Sequence, residues 1–129
     1  MEGFVVDRAN LIVFARVTGF LDEAMVAKMI TESRRAARVL GKDFGRHSLL
    51  YDLTSAQVAS VASIDTICRM VADPADRSLW AHRVAFYTPS VLIQMQMQRV
   101  CNMRPGIAIF AERRSAIAWI HAERGRIAA

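Results

Sequence analysis

The sequence predicts an α/β layer structure built on a mixed, mostly parallel sheet. Three observations predict it. Short runs rich in β-branched, aromatic and other apolar residues recur at 3–6, 11–18, 47–53, 83–88 and 107–110. After the first two runs, stretches with helical apolar spacing separate them. The resulting order, β-β-α-β-α-β-α-β-α, runs through 129 residues without a repeat, a low-complexity tract or a linker. One domain over 1–129 is therefore expected. Strand, helix and strand in succession imply parallel pairs joined by right-handed crossovers.

The first two runs, with Asp7-Arg8-Ala9-Asn10 as a tight turn, read as a β-hairpin that ends at Gly19. It supplies the antiparallel edge. Asp22 suits a helix N-cap. From there to Leu40, Met25, Val26, Met29, Ile30, Ala37 and Leu40 fall on one arc, opposite Lys28, Arg34, Arg35 and Arg38. Gly41 reads as the left-handed residue that closes this helix. His47–Leu53 is a short apolar strand. Val61–Asp73 is the next helix, with Val61, Ile64, Ile67, Cys68 and Val71 on its buried arc and Pro74 at its end. Asp65, Arg69 and Asp73 stand four apart on its wet side, where they can pair. Arg83–Thr88 is a strand, and Ser90 caps the segment after it. Ile93–Gln98 alternates with period two, yet Met and Gln favour helix over strand, so a helix is expected. Its apolar residues go almost all round, which calls for deep burial or a covering partner. Pro105-Gly106 ends it. Ile107–Phe110 is the last strand. A final helix from Glu112 to Glu123 carries Ala116, Ile117, Trp119 and Ile120 on one arc, with Gly125 closing it.

Composition narrows the function classes. The chain is 53% apolar and 22% charged, as in an ordinary globular domain. No apolar run approaches the roughly 18 residues of a membrane span, and no secretory leader is evident. A cytoplasmic protein is expected. The net charge is +5, and arginine supplies most of the cations. That balance admits anionic partners. However, no block of like charge and no interleaving of aromatic with basic residues forms a nucleic-acid platform, so none is expected. Cys68 and Cys101 form neither a disulfide framework nor a Cys-x-x-Cys pair. His47, His82 and His121 lack ligand spacing, so no metal is expected.

No phosphate-binding glycine loop, nucleophile elbow or zinc-protease motif occurs. No nucleophile, base and orienting group assemble from neighbouring positions, so no catalytic residue and no cofactor are expected. Asp52 ends a buried strand, where open α/β sheets place their ligands, and is a candidate site residue. Its competing role is to accept hydrogen bonds from a turn. Ser60, Ser63 and Ser90 open helices, where a phosphate would meet free N–H groups, and are phosphorylation or anion candidates. Capping is the commoner use of such hydroxyls. Met95, Met97 and Met103 suit an adaptable apolar pocket or interface, with ordinary core packing as the alternative.

Three strings carry a family resemblance: Leu49-Leu50-Tyr51-Asp52-Leu53, Arg83-Val84-Ala85-Phe86-Tyr87-Thr88-Pro89-Ser90, and Ile109-Phe110 followed by Ala116-Ile117-Ala118-Trp119-Ile120. Together with the element order, they resemble the SpoIIAA-like proteins, small bacterial relatives of the STAS domain also grouped as STAS/SEC14. Glu112 stands where that family more often has an Asp cap. The resemblance implies a sheet of four or five strands with helices mainly on one face. In the STAS anti-sigma antagonists, an Asp-Ser pair opens the helix after the central strand, and its Ser is the phosphorylation switch. Aligned from Asp52, the pair here reads Ser60-Val61, so the switch Ser is absent. The resemblance thus implies a non-enzymatic regulatory domain that acts through a protein partner or as a homodimer. Its SEC14 side implies an alternative, an apolar small molecule or lipid held between helices and sheet.

Overall fold

The computed structural model describes residues 4–73 and 81–128, the last six by backbone only. In chain order it holds β1 (Phe4–Asp7), β2 (Ile12–Arg16), β3 (Gly19–Phe20), α1 (Glu23–Ala37), a 3-10 segment (Arg38–Asp43), β4 (Ser48–Asp52), β5 (Ala56–Gln57), α2 (Val61–Ala72), β6 (Arg83–Tyr87), α3 (Val91–Cys101), β7 (Ile107–Phe110) and α4 (Arg113–Ala128). Five strands form the main sheet in the spatial order β1-β2-β4-β6-β7. β1 runs antiparallel to β2, and the other neighbours are parallel. The expected hairpin is present. Its turn is held by Asp7, whose carboxylate accepts from the Asn10 backbone at 3.1 Å and side-chain amide at 2.9 Å. β3 and β5 form a separate two-residue parallel pair that the sequence did not announce.

Strand alternation gives the sheet two faces. Val13, Ala15, Leu49, Tyr51, Val84 and Phe86 point to the side covered by α1, α2 and α3 and form the main core with them. Ile12, Leu50, Ala85 and Tyr87 point the other way and pack with Ala116 and Ile120 of α4. Three helices thus share one face, as expected, while the fourth covers part of the opposite one. Aromatic rings cross the main core in a row. Phe4 meets Tyr51 edge-on at 6.4 Å, and Tyr51 stacks on Phe86 at 5.4 Å.

Several expectations need correction. Val61 is exposed, because it is the first residue of α2 and precedes the turn that faces the core. α1 gives way at Ala37 to the 3-10 segment. Gly41, at φ +58° and ψ −118°, breaks the helical run with the positive φ expected of it, although the turn it ends is 3-10 rather than α. Asp65 pairs with Arg99 of α3, and Arg69 donates to Thr66, so the ladder along α2 does not form. α3 carries apolar residues on both its inner and outer sides, as expected, but it is not deeply buried. Ile93, Met97, Val100 and Cys101 form one buried stripe, while Val91, Leu92 and Met95 face outward. α4 continues through Gly125 to Ala128. The helix stop at Pro74 and the strand start at Gly3 lie outside the described residues.

Candidate functional site

The carboxyl ends of the parallel strands bring the candidate residues to one rim. Register aligns Arg16 with Asp52 and Asp52 with Tyr87, one row across β2, β4 and β6. All three side chains belong to the α4 face by alternation. Arg16 Nε lies 3.4 Å from Asp52 Oδ2, and the other carboxylate oxygen accepts from the Thr54 backbone N–H at 2.8 Å. Tyr87 stands beside Asp52 in the row, and Arg113, the first residue of α4, lines the same groove. Burial pushes the Asp52 carboxyl up, but the Thr54 and Tyr87 hydrogen bonds and the Arg16 charge outweigh it and hold the group below the ordinary aspartate range. Burial, then the Asp52 charge, raises the Tyr87 phenol. Asp52 therefore accepts hydrogen bonds from its turn and also anchors a polar row. An ionised, well-partnered carboxylate of this kind is a poor general base.

That row edges a groove of about 410 Å³ lined by Val5, Phe14, Ala15, Arg16, Leu50, Asp52, Tyr87 and Arg113. The Arg113 guanidinium sits over the Phe14 ring at 5.3 Å. The groove exists because α4 packs on β4, β6 and β7 and leaves the β1–β2 half of that face uncovered.

The serine candidates are all at helix starts. Ser60 caps α2 by accepting from the Ser63 N–H at 3.1 Å, and Ser90 caps α3 by accepting from the Ile93 N–H at 3.3 Å. Ser63 is buried. Its hydroxyl accepts from Ser60 at 3.0 Å and donates to Glu23 of α1 at 2.6 Å. That bond lowers the Glu23 pKa. A phosphate on Ser63 would meet a carboxylate at contact distance, whereas Ser60 is exposed and Ser90 half-buried.

The methionines do not cluster. Met97 lines an enclosed apolar gap of about 30 Å³ among Met29, Tyr51, Ile67, Phe86 and Val100, while Met95 and Met103 are exposed. Instead Met95 joins another group at the starts of α2 and α3. The Gln96 side chain donates to the Ala59 carbonyl at 2.7 Å and accepts from its N–H at 3.2 Å, tying the loop before α2 to α3. Phe20 reaches the same loop through the β3–β5 pairing. On the segments so connected, Phe20, Val61, Leu92 and Met95 are 61–67% exposed and Val58 is 40% exposed.

Sequence reasoning missed Arg16, Tyr87, Arg113 and Phe14 at the groove, and Phe20, Val58 and Gln96 at the helix starts. Register was the available signal for the first set. Pairing the three apolar strands in parallel puts Arg16 and Tyr87 beside Asp52. No helical or strand period flags Gln96, whose partner is backbone 37 positions away.

No protein-family model matches the chain, and no curated protein matches it in sequence. Among solved structures, it is similar to an uncharacterized protein of the DUF3478 family, with a SpoIIAA-like fold, from Shewanella loihica PV-4. The likeness covers 92% of this chain and 90% of that one at a TM-score of 0.59, with 17% sequence identity. The fold is SpoIIAA-like. At that identity the likeness speaks for architecture and leaves chemistry to the residues themselves. Within the SpoIIAA-like frame, no group of three His, Cys, Asp or Glu side chains suited to a metal occurs among the described residues, and no helix there is long and apolar enough to cross a membrane.

Proposed function

We propose that this SpoIIAA-like chain is a non-enzymatic, cytoplasmic regulatory domain that works by protein contact, with a second copy of itself as the first occupant. The observation that carries the reading is the set of outward-facing apolar side chains at the starts of α2 and α3: Phe20, Val61, Leu92 and Met95. Grouped apolar side chains that face water favour association. Methionine and leucine at such a rim can adapt to a partner's shape. Arg99 and Asp65, one turn along α3 and α2 from Met95 and Val61, already pair with each other, so that pair adds no net charge to a self-complementary two-fold contact. Val61 occupies the position after the Ser60 cap, where the STAS antagonists carry their switch Ser. Contact here is accordingly constitutive rather than gated by a phosphate at that position.

Size exclusion with light scattering over a range of concentrations tests the reading. The wild type is expected at dimer mass. Leu92→Glu with Met95→Glu is expected at monomer mass with an unchanged thermal midpoint, because both positions are exposed. A wild type that is strictly monomeric, and that captures no partner from native lysate, refutes it.

For the alternative occupant, an apolar small molecule or lipid between helices and sheet, the enclosed apolar space beneath α1–α3 among the described residues is the gap beside Met97. At about 30 Å³, that gap is of the order of one water molecule, so a ligand would have to spread α1 and α3 from the sheet. Native mass spectrometry after gentle purification distinguishes the two, since a carrier would retain ligand mass.

A further inference from the structure

The groove on the α4 face has the composition of a small-ligand site. Its volume of about 410 Å³ lies within the usual range for such pockets. Its floor is apolar, with Phe14 and Leu50 from the sheet and Val5 exposed on the uncovered edge strand. Its polar groups converge on one end, where Arg16, Asp52 and Tyr87 share a row and Arg113 closes it. Two guanidiniums face one carboxylate, so the groove keeps a net positive charge. Asp52 is already engaged by Arg16 and the Thr54 N–H. Arg113 rests its guanidinium over the Phe14 face, a contact that leaves its N–H donors directed outward from the edge for an incoming acceptor.

We infer that this groove binds a small organic carboxylate with a flat apolar body, the carboxylate on Arg113 and the body against Phe14, Leu50 and Val5. A single guanidinium fork matches a carboxylate in bidentate geometry. A dianion such as phosphate fits less well, because its second charge would face the Asp52 carboxylate. The site lies across the sheet from the starts of α2 and α3. It therefore stands or falls separately from the self-association proposed above.

The experiment is a titration of isotope-labelled protein followed by amide chemical shifts. The probes are 2-naphthoate, its neutral counterpart 2-naphthylmethanol, and inorganic phosphate. Saturable shifts with naphthoate are expected at Phe14, Arg16, Tyr87 and Arg113. The alcohol is expected to bind about tenfold more weakly, the worth of one charge-assisted contact. Arg113→Gln should remove the difference between acid and alcohol. Val5→Glu should weaken both, and Arg46→Gln, just beyond the remote 3-10 segment, should change neither. All three positions are exposed, so the folded spectrum should survive each change. Equal binding of acid and alcohol, phosphate binding as tight as naphthoate, shifts scattered outside the groove, or no saturation each overturn the inference.

Discussion

Replacing Gln96 with alanine removes both hydrogen bonds to Ala59, at 2.7 and 3.2 Å, and leaves a backbone donor and acceptor without their partner. Each such bond contributes about 0.5–1.5 kcal/mol, so the expected loss is about 1–3 kcal/mol. For a chain of this length that corresponds to a thermal midpoint lower by roughly 3–10 °C. Circular dichroism reads the midpoint, and hydrogen exchange at the Ala59 amide reads the local event. Gln96→Glu sharpens the test. The ionised carboxylate can still accept from the Ala59 N–H but repels its carbonyl, whereas the protonated acid can both donate and accept, as the amide does. Its pKa should accordingly rise on folding. The stabilising contribution is then present below the unfolded value of about 4.3 and is lost as pH rises through the raised folded value. The variant should approach wild-type stability near pH 4 and fall behind it at pH 7. Alanine within about 0.5 kcal/mol of wild type, the scatter of a neutral surface change, refutes the clamp. So does a pH-independent deficit for glutamate.

Three further outcomes are expected. Asp52 has a lowered pKa, so its contribution is present above the unfolded value near 3.9 and fades as pH falls through the folded one. Denaturant titrations should show the wild-type advantage over Asp52→Asn vanishing in acid, and an advantage that persists there refutes the partnered carboxylate. Ile120 is fully buried between α4 and the sheet. Ile120→Ala should cost about 2–5 kcal/mol by chemical denaturation, and a loss under about 1 kcal/mol would mean that α4 is not seated. Burial pushes the Cys101 thiol up to about 12 and raises Cys68 as well. Labelling by a disulfide reagent at pH 8 should therefore wait for unfolding, and fast labelling of the native protein contradicts that packing.

Most of the main sheet was legible because each strand is a short apolar run and each crossover helix has one apolar arc. Asp22, Ser60 and Ser90 cap where their residue types suggest. Failures came where tertiary contact outranks local pattern. Val61 satisfies helical spacing but sits in a first turn that overshoots the core. Asp65 had a partner at helical spacing in Arg69, yet Arg99 on the adjacent helix reaches it instead. The β3–β5 pair has two residues per strand, too short for any period to register. At the candidate site, Asp52 was visible as a carboxylate at a strand end. Its neighbours depended on register, and Arg113 depended on where α4 starts relative to the sheet.

The two faces of the sheet are unequally anchored. Among the described residues, the larger cluster gathers twenty-four buried residues and the one beneath α4 gathers six. Detaching the last helix would uncover little oil and leave the thicker layer intact, so amide protection should be lowest there, in a separate opening step. Since Arg113 begins that helix, any molecule gripping it would act as a rivet, slowing the peeling of the carboxyl-terminal segment and shielding it from proteases.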